Sequence, residues 1–205
     1  MDVPFILLAA GQSTRMGQPK ALQDYHGQPW LRAQIEAIRA QTQGPIRVVL
    51  GPQGERESQL LEGVEGVQTV LNPAPQRGPF SSLQVGLEGL PGPVFVGPLD
   101  CPVAPVLRIL FPSMDPDDEA VVPTHQGRGG HPVLIGPTLV GRLLELEAGA
   151  PEARLDLALK RSRTRRVEVE DARILLNLNT SEAWQAFQTQ PCRWPQPKHP
   201  SGRPR

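Results

Sequence analysis

The chain contains 205 residues, which is enough for one domain with a substantial hydrophobic core. Its 21 lysines and arginines balance 21 aspartates and glutamates, so its overall charge gives no attraction to nucleic acid or to a membrane surface. Cys101 and Cys192 do not have the spacing of a metal or redox site, and we expect a reduced, cytoplasmic protein.

Short apolar runs alternate with amphipathic stretches, which is typical of a parallel sheet flanked by helices. The predicted strands are Pro4–Ala9, Ile46–Leu50, Val67–Leu71, Val94–Val96, Ala120–Pro123, Val133–Ile135 and Arg166–Val169. The predicted helices are Pro29–Gln41, Glu55–Glu62, Ser81–Leu90, Ala104–Leu110, Pro137–Glu147, Glu152–Lys160 and Ser181–Gln188. The pattern predicts a single Rossmann-like, three-layer α/β domain over residues 1–190, with a mostly parallel sheet and helices on both faces.

The two ends of the chain differ in character. The N-terminal apolar run is too short for a membrane-spanning helix, which needs about 20 apolar residues, and it follows an acidic rather than a basic residue. We interpret it as the first buried strand. Residues 191–205 are rich in proline and have no hydrophobic periodicity, so we predict a disordered basic tail.

The loop after the first strand contains most of the chemical information. From Leu8 to Lys20 it reads L-A-A-G-Q-S-T-R-M-G-Q-P-K. Glycines let backbone N–H groups approach a polyanion, and Arg15 and Lys20 can neutralise phosphate charge. The spacing does not match the dinucleotide-binding motif G-x-G-x-x-G, and this mismatch disfavours a dehydrogenase. The spacing does not match a P-loop either. The alternative interpretation is an ordinary strand-to-helix turn with solvated basic residues.

Further polar residues follow later strands, where ligands bind in open α/β sheets. Asn72 precedes Gly78, Ser81 and Ser82. The hydroxyls of the two serines suit either a nucleotide or plain helix capping. Asp100 lies four residues past the end of the predicted strand Val94–Val96 and offers a hard oxygen ligand for Mg²⁺, although aspartate in a proline-containing loop is also a common turn former.

Two more segments complete the set. Gly130 and His131 stand in the string G-R-G-G-H-P-V, where glycines would allow a ligand to approach the backbone closely and the histidine could equally be structural. Asn177 and Asn179 stand in N-L-N-T-S-E before the last predicted helix. An asparagine oxygen can ligate Mg²⁺ without contributing charge, and Thr180 or Asn179 could instead cap the last helix.

These strings together resemble the molybdenum cofactor nucleotidyltransferases within the MobA-like NTP transferases, from residue 4 to residue 188. The family pattern L-A-x-G-x-S-x-R-[MF]-G-x-x-K matches residues 8–20, and hydrophobic-x-x-D-x-P matches the segment of Asp100. The resemblance implies the nucleotide-diphospho-sugar transferase fold. The chain departs from the family in its last signature, where both acidic-or-amide positions are asparagine and Ser181 replaces the usual proline.

The resemblance also implies roles for individual residues. Arg15, Lys20 and Asp100 would be catalytic, with Asp100 as the ligand of Mg²⁺. The nucleotide would contact a set of loop residues and helix-terminal residues: Leu8, Ala9, Ala10, Gly11, Ser13, Gly17, Lys20, Asn72, Gly78, Ser81 and Ser82. The phosphorylated acceptor would contact Gly130, His131, Asn177 and Asn179.

The expected reaction is transfer of a nucleoside monophosphate group from an NTP to a small phosphorylated acceptor, with release of pyrophosphate. In the family, Ala-Ala-Gly in the first loop accompanies cytidylyl transfer, so Ala9–Gly11 favours CTP, with GTP as the alternative. The resemblance implies molybdopterin as acceptor and a molybdoenzyme as a possible partner. The alternatives are a nucleotidyltransferase for a sugar phosphate or another small phosphate, and a non-catalytic nucleotide-binding or cofactor-delivery protein.

Overall fold

The computed structural model describes residues 1–11 and 19–189. The strands in this part of the chain are β1 Phe5–Leu8, β2 Asp24–Tyr25, β3 Gln28–Pro29, β4 Ile46–Leu50, β5 Val67–Leu71, β6 Val94–Pro98, β7 Ala120–His125, β8 Arg128–Gly129, β9 Val133–Ile135 and β10 Thr164–Glu168. The α-helices are α1 Trp30–Arg39, α2 Glu55–Leu61, α3 Pro79–Leu87, α4 Leu107–Leu110, α5 Pro137–Glu145, α6 Leu155–Lys160 and α7 Ser181–Gln188. Short 3-10 helices cover Lys20–Leu22, Pro75–Arg77, Phe111–Ser113 and Ala172–Leu175.

The main sheet has the strand order β10-β7-β9-β6-β1-β4-β5, with β8 paired to β7. Strands β6, β1, β4 and β5 are parallel neighbours, and β10 is parallel to β7. Strand β9 is antiparallel to both β6 and β7. The expectation of a mostly parallel sheet is confirmed, and the reversed β9 joins its two parallel portions.

The core lies on both faces of this sheet because successive strand residues point to opposite sides. In β1, Phe5 and Leu7 pack in one buried cluster with α1, while Ile6 packs in the other with α3 and α5. The predicted apolar stripe of α1, formed by Leu31, Ile35 and Ile38, belongs to the first cluster. Helices on both faces of the sheet confirm the three-layer prediction.

Prolines and a glycine explain why α3 and α4 begin or end at residues other than those predicted. The helix predicted over Ala104–Leu110 begins only at Leu107, since Pro105 disfavours a helical conformation for the residue before it. The helix predicted from Ser81 begins earlier, at Pro79, because proline is accommodated in the first helical turn. It ends at Leu87, two residues before Gly89, whose φ is 70°.

A small hairpin that the sequence analysis did not predict connects the 3-10 helix Lys20–Leu22 to α1. Strands β2 and β3 pair antiparallel around a turn in which both His26 and Gly27 have positive φ, 51° and 86°. Two central residues with positive φ are the mark of the tight turn favoured in hairpins. The hairpin sets Tyr25 beside Trp30, the first residue of α1.

No helix in the described ranges is long and apolar enough to cross a membrane. The predicted tail 191–205 lies outside these ranges.

Candidate functional site

The loops that follow β1 and β6 leave the sheet side by side. Leu8 is in register with Pro98, and the amide of Leu99 donates to the Leu8 carbonyl at 2.9 Å. Parallel strands end at the same edge, so the glycine-containing first loop and the loop of Asp100 begin next to each other. Gly11 is exposed at this edge. Ser13, Arg15 and Gly17 lie outside the described residues.

Lys20, Asp100 and Asn179 meet at this edge although they come from distant parts of the chain. Lys20 Nζ donates a hydrogen bond of 2.6 Å to Asn179 Oδ1 and lies 3.9 Å from Asp100 Oδ2. The Lys20 side chain is 10% exposed and that of Asp100 25% exposed. A nearly buried ammonium group beside a partly exposed carboxylate forms a compact charged site of the kind that phosphates and a cation would use.

The loop of Asp100 is anchored on its far side by the segment of the two asparagines. The amide of Leu178 donates to the Asp100 carbonyl at 2.8 Å, and the Leu178 side chain is buried. This bond places Asn179 beside Lys20. Asn177 is exposed, and its proposed contact with the acceptor stays a prediction.

Cys101 is a packed residue of this loop. It is buried, and its thiol lies 3.8 Å from Asp100 Oδ1. Burial, together with the neighbouring Asp100 carboxylate, raises the pKa of the Cys101 thiol far above its usual range. The thiol therefore remains protonated and unreactive at neutral pH.

A cleft of about 830 Å³ runs from the ends of β1 and β6 toward β10. His131 lines it together with Leu8, Pro98 and Gly130 at one end, and Arg166 lies at the other. The lining is largely apolar, with contributions from Phe80, Leu83, Val96, Val122, Val133 and Leu155. These apolar residues are widely spaced in the sequence, which explains why, of the lining, only Leu8, Gly130 and His131 were predicted as site residues.

The Nδ1 atom of the half-buried His131 is itself buried and has no hydrogen-bond partner within the described part of the chain. Burial lowers the pKa of the imidazole below its usual value, and the Asp100 carboxylate only partly opposes this effect. The fold requires glycine at position 130, because a Cβ there would lie 2.3 Å from the Ile174 carbonyl oxygen. The His131 amide donates to the same oxygen at 2.9 Å.

Asn72, Ser81 and Ser82 form a buried cluster after β5. Asn72 Nδ2 donates to both serine hydroxyls at 2.9 Å, and Asn72 Oδ1 accepts from the Ala74 amide at 2.9 Å. Ser81 Oγ in turn donates to the carbonyl of Gly78, a residue with φ of 94°. These contacts shape the loop between β5 and α3 without a ligand, and the nucleotide contacts of this group stay a prediction.

The donor set of the site fits Mg²⁺. Among the described residues, no group of three or more histidines, cysteines, aspartates and glutamates could by itself hold a metal ion. Asp100 offers a partly exposed carboxylate, and Asn179 offers an amide oxygen close by. Mg²⁺ is commonly held by one or two carboxylates together with waters and substrate phosphates, so a single carboxylate with an amide oxygen beside it is sufficient.

Known proteins resemble this chain over most of its length. It is 25% identical over 168 residues to a probable molybdenum cofactor guanylyltransferase of Bacillus licheniformis, covering 80% of this chain and 84% of the relative. A nucleotidyl transferase from Methanothermobacter has the same fold, with a TM-score of 0.75 and 20% identity over 91% of this chain and 96% of its own. A Mycobacterium tuberculosis protein solved in complex with manganese superposes with a TM-score of 0.69 and 23% identity, covering 93% of this chain and 100% of its own.

The family comparison agrees with these relatives. The profile of the MobA-like NTP transferase domain matches residues 5–164, which include β1, the loop after it and Asp100. The match thus covers the edge of the sheet at which Lys20 and Asp100 meet. The chain belongs to the MobA-like NTP transferase family and is a nucleotidyltransferase.

Proposed function

We propose that the chain transfers a nucleoside monophosphate group from an NTP, with Mg²⁺, to the phosphate of molybdopterin. The observation that carries this proposal is the meeting of Lys20, Asp100 and Asn179 at the edge where β1 and β6 end. One side of this cluster adjoins the first loop, and the cleft of His131 opens nearby from Leu8 and Pro98.

Each residue has a part in this chemistry. Lys20 offers a positive charge to phosphate oxygens, and charge neutralisation and positioning carry most of the catalysis in phosphoryl-type transfer. Arg15 has the same proposed role, from the sequence pattern. Asp100, with Asn179 beside it, would hold Mg²⁺, which would supply Lewis-acid stabilisation of phosphate charge. A phosphate nucleophile is already ionised near neutral pH, so the site needs no general base.

The cleft supports an acceptor with a flat, partly apolar body and a charged end. Its volume of about 830 Å³ lies within the range of sites for small organic ligands, and most of its lining is apolar. His131 lines this cleft, and its buried Nδ1 atom has no hydrogen-bond partner among the described residues. The name of the Bacillus relative supports molybdopterin as the acceptor.

Two observations bear on the base. The loop Ala9–Gly11 favours CTP, through its resemblance to the cytidylyl branch of the family. The relatives from Bacillus licheniformis and Halalkalibacterium halodurans are both named as guanylyltransferases, which favours GTP. We propose CTP as the preferred donor, and GTP is the second candidate.

Pyrophosphate release tests the proposal. The full chain would be assayed with Mg²⁺, molybdopterin and each of the four NTPs, alongside the variants Asp100→Ala and Asp117→Ala. We expect release with CTP, reduced by at least about a hundredfold in Asp100→Ala because a group that acts on the transition state is lost. Asp117 precedes the start of β7 and its side chain is 75% exposed, so Asp117→Ala is the control and should keep most of the activity.

Each other result would revise a different part of the proposal. Release with GTP alone would keep the mechanism and change the base. Release only when a sugar phosphate replaces molybdopterin would change the acceptor. Tight NTP binding without release, for any acceptor, would indicate a nucleotide-binding or delivery protein that passes the cofactor to a molybdoenzyme. The absence of both binding and release would contradict the proposal as a whole.

A further inference from the structure

Gln34 is a fully buried glutamine on α1 whose side-chain amide binds the backbone on both sides of Asp100. Its Nε2 atom donates to the carbonyl of Leu99 at 3.3 Å and to that of Cys101 at 2.9 Å. Its Oε1 atom accepts from the amide of Val103 at 3.0 Å. One side chain thus binds backbone groups of residues 99, 101 and 103.

Two further contacts complete the support of this loop. Trp30, one turn before Gln34 on α1, donates its indole N–H to the Leu99 carbonyl at 2.8 Å. The Asp100 carbonyl accepts from Leu178, as described above. The backbone around Asp100 is therefore bonded to α1 on one side and to the Asn179 segment on the other.

We propose that Gln34 is a positioning residue for Asp100, and this rests on the proposed role of Asp100 as the metal ligand. Gln34 does not touch the substrate, because its side chain is buried beneath the loop. It acts by holding the loop so that the Asp100 carboxylate stays near Lys20 and Asn179. Partners outside the first ligand shell typically change metal affinity by ten- to a hundredfold.

The chemistry of glutamine suits this position better than that of other residues of its size. The loop presents carbonyl groups that need a donor and an amide that needs an acceptor, and a primary amide supplies both. Methionine has a similar length but offers neither, so Gln34→Met would leave buried backbone groups unpaired. Buried unpaired groups are costly, and the loop would shift to satisfy them elsewhere.

The chain contains a matched control for this substitution. Gln41 lies seven residues further along, just after α1, and is also buried. Its Nε2 atom donates to the carbonyls of Ala37 and Ala104, and its Oε1 atom accepts from the Leu107 amide at 3.0 Å. Gln41 therefore makes the same kinds of bond to Ala104 and Leu107, at the far end of this loop where α4 begins, and not to the residues beside Asp100.

Binding of Mn²⁺ to the full-length protein, measured by water-proton relaxation, separates a positioning role of Gln34 from a purely structural one. The variants are Gln34→Met, Gln41→Met and Asp100→Ala, each with its thermal unfolding curve. We expect both glutamine variants to lose similar thermal stability. Only Gln34→Met should also weaken Mn²⁺ binding, by roughly tenfold, and raise the metal concentration that half-saturates pyrophosphate release.

The outcomes distinguish this inference from the proposal on which it rests. Equal loss of Mn²⁺ affinity in Gln34→Met and Gln41→Met, or none in either, would overturn the positioning role. Unchanged affinity in Asp100→Ala would instead contradict the metal site itself. Should Gln34→Met fail to fold, Gln34→Glu takes its place: it keeps the acceptor for Val103 and the side-chain shape, and an affinity equal to that of the parent chain would overturn the inference.

Discussion

Lys20 and Asn179 are 159 positions apart in the chain, yet their side chains meet at 2.6 Å beside Asp100. The residue types could be read from the sequence, because a lysine after a glycine-containing loop and an aspartate after a strand each predict phosphate or metal chemistry. Local sequence patterns do not show that these side chains meet. Their meeting depends on the bond between the Leu178 amide and the Asp100 carbonyl, which no local pattern encodes.

Asn179→Asp should tighten binding of divalent metal. The substitution adds a carboxylate next to Asp100, and affinity for Mg²⁺ and Mn²⁺ rises with the charge of the ligand set, so we expect a gain on the order of tenfold. Relaxation titration with Mn²⁺ measures it. Asn177→Asp is the matched control, since it adds the same charge at an exposed position; an equal gain there would mean that Asn179 has no special place in the site.

His131 should make stability depend on pH. Burial lowers its pKa in the folded state, so below the usual histidine pKa the unfolded chain binds a proton that the folded chain does not. The folded state then loses stability as the pH falls from about 7 toward the lowered pKa. Urea unfolding of the parent chain and of His131→Phe at several values between pH 5 and 7.5 checks this. The variant should lose less stability over this range, and parallel curves would contradict the prediction.

Helix α7 shows how one element carries both stability and a site residue. It begins directly after Asn179 and Thr180, and its residues Trp184 and Phe187 pack against the hairpin and α1 through Tyr25 and Trp30. The amphipathic pattern predicted the bounds of this helix, Ser181–Gln188, correctly. The hairpin on which it packs was missed, because two-residue strands are too short to show an alternating pattern.

Thr180→Val should destabilise the protein by about 1 kcal/mol, the usual cost of losing a helix N-cap. Thr180 Oγ1 accepts from the Ala183 amide at 3.1 Å, and valine keeps the branched shape without the oxygen. The larger aromatic contacts of α7 remain, so the loss of unfolding free energy should not be much greater than this cost. Urea denaturation measures the loss. Thr180→Ser keeps the hydroxyl and should be close to the parent chain, whereas an equal loss in both variants would exclude the cap as the cause.

At the scale of the whole molecule, the proposed site draws on segments from residue 8 to residue 179. Unfolding of the domain separates all of them, so a ligand bound at this edge stabilises the folded state as a whole. An NTP with Mg²⁺ at about a hundred times its dissociation constant should add about 2.7 kcal/mol to the free energy of unfolding.

Thermal unfolding with and without CTP, GTP and Mg²⁺ tests this stabilisation. We expect a higher unfolding temperature with the preferred NTP and Mg²⁺, and a smaller rise when EDTA removes the metal. In Asp100→Ala the effect of the metal should disappear. A rise that is the same with and without metal in the parent chain would mean that the nucleotide binds without Asp100.

The sequence by itself determined the fold class, the family and most of the residue types at the site. Alternating apolar and amphipathic segments predict a layered α/β domain from local chemistry alone, and the segments from Leu8 to Lys20 and around Asp100 are contiguous enough to read as motifs. Only the tertiary structure decided the reversed direction of β9, the contact between Lys20 and Asn179, and the bonds of Gln34 to the backbone around Asp100. Gln34 stands among the apolar residues of α1, and nothing local shows that its amide meets a loop 65 to 69 residues away. Such contacts are set by how the layers pack, and packing joins residues that sequence patterns treat separately.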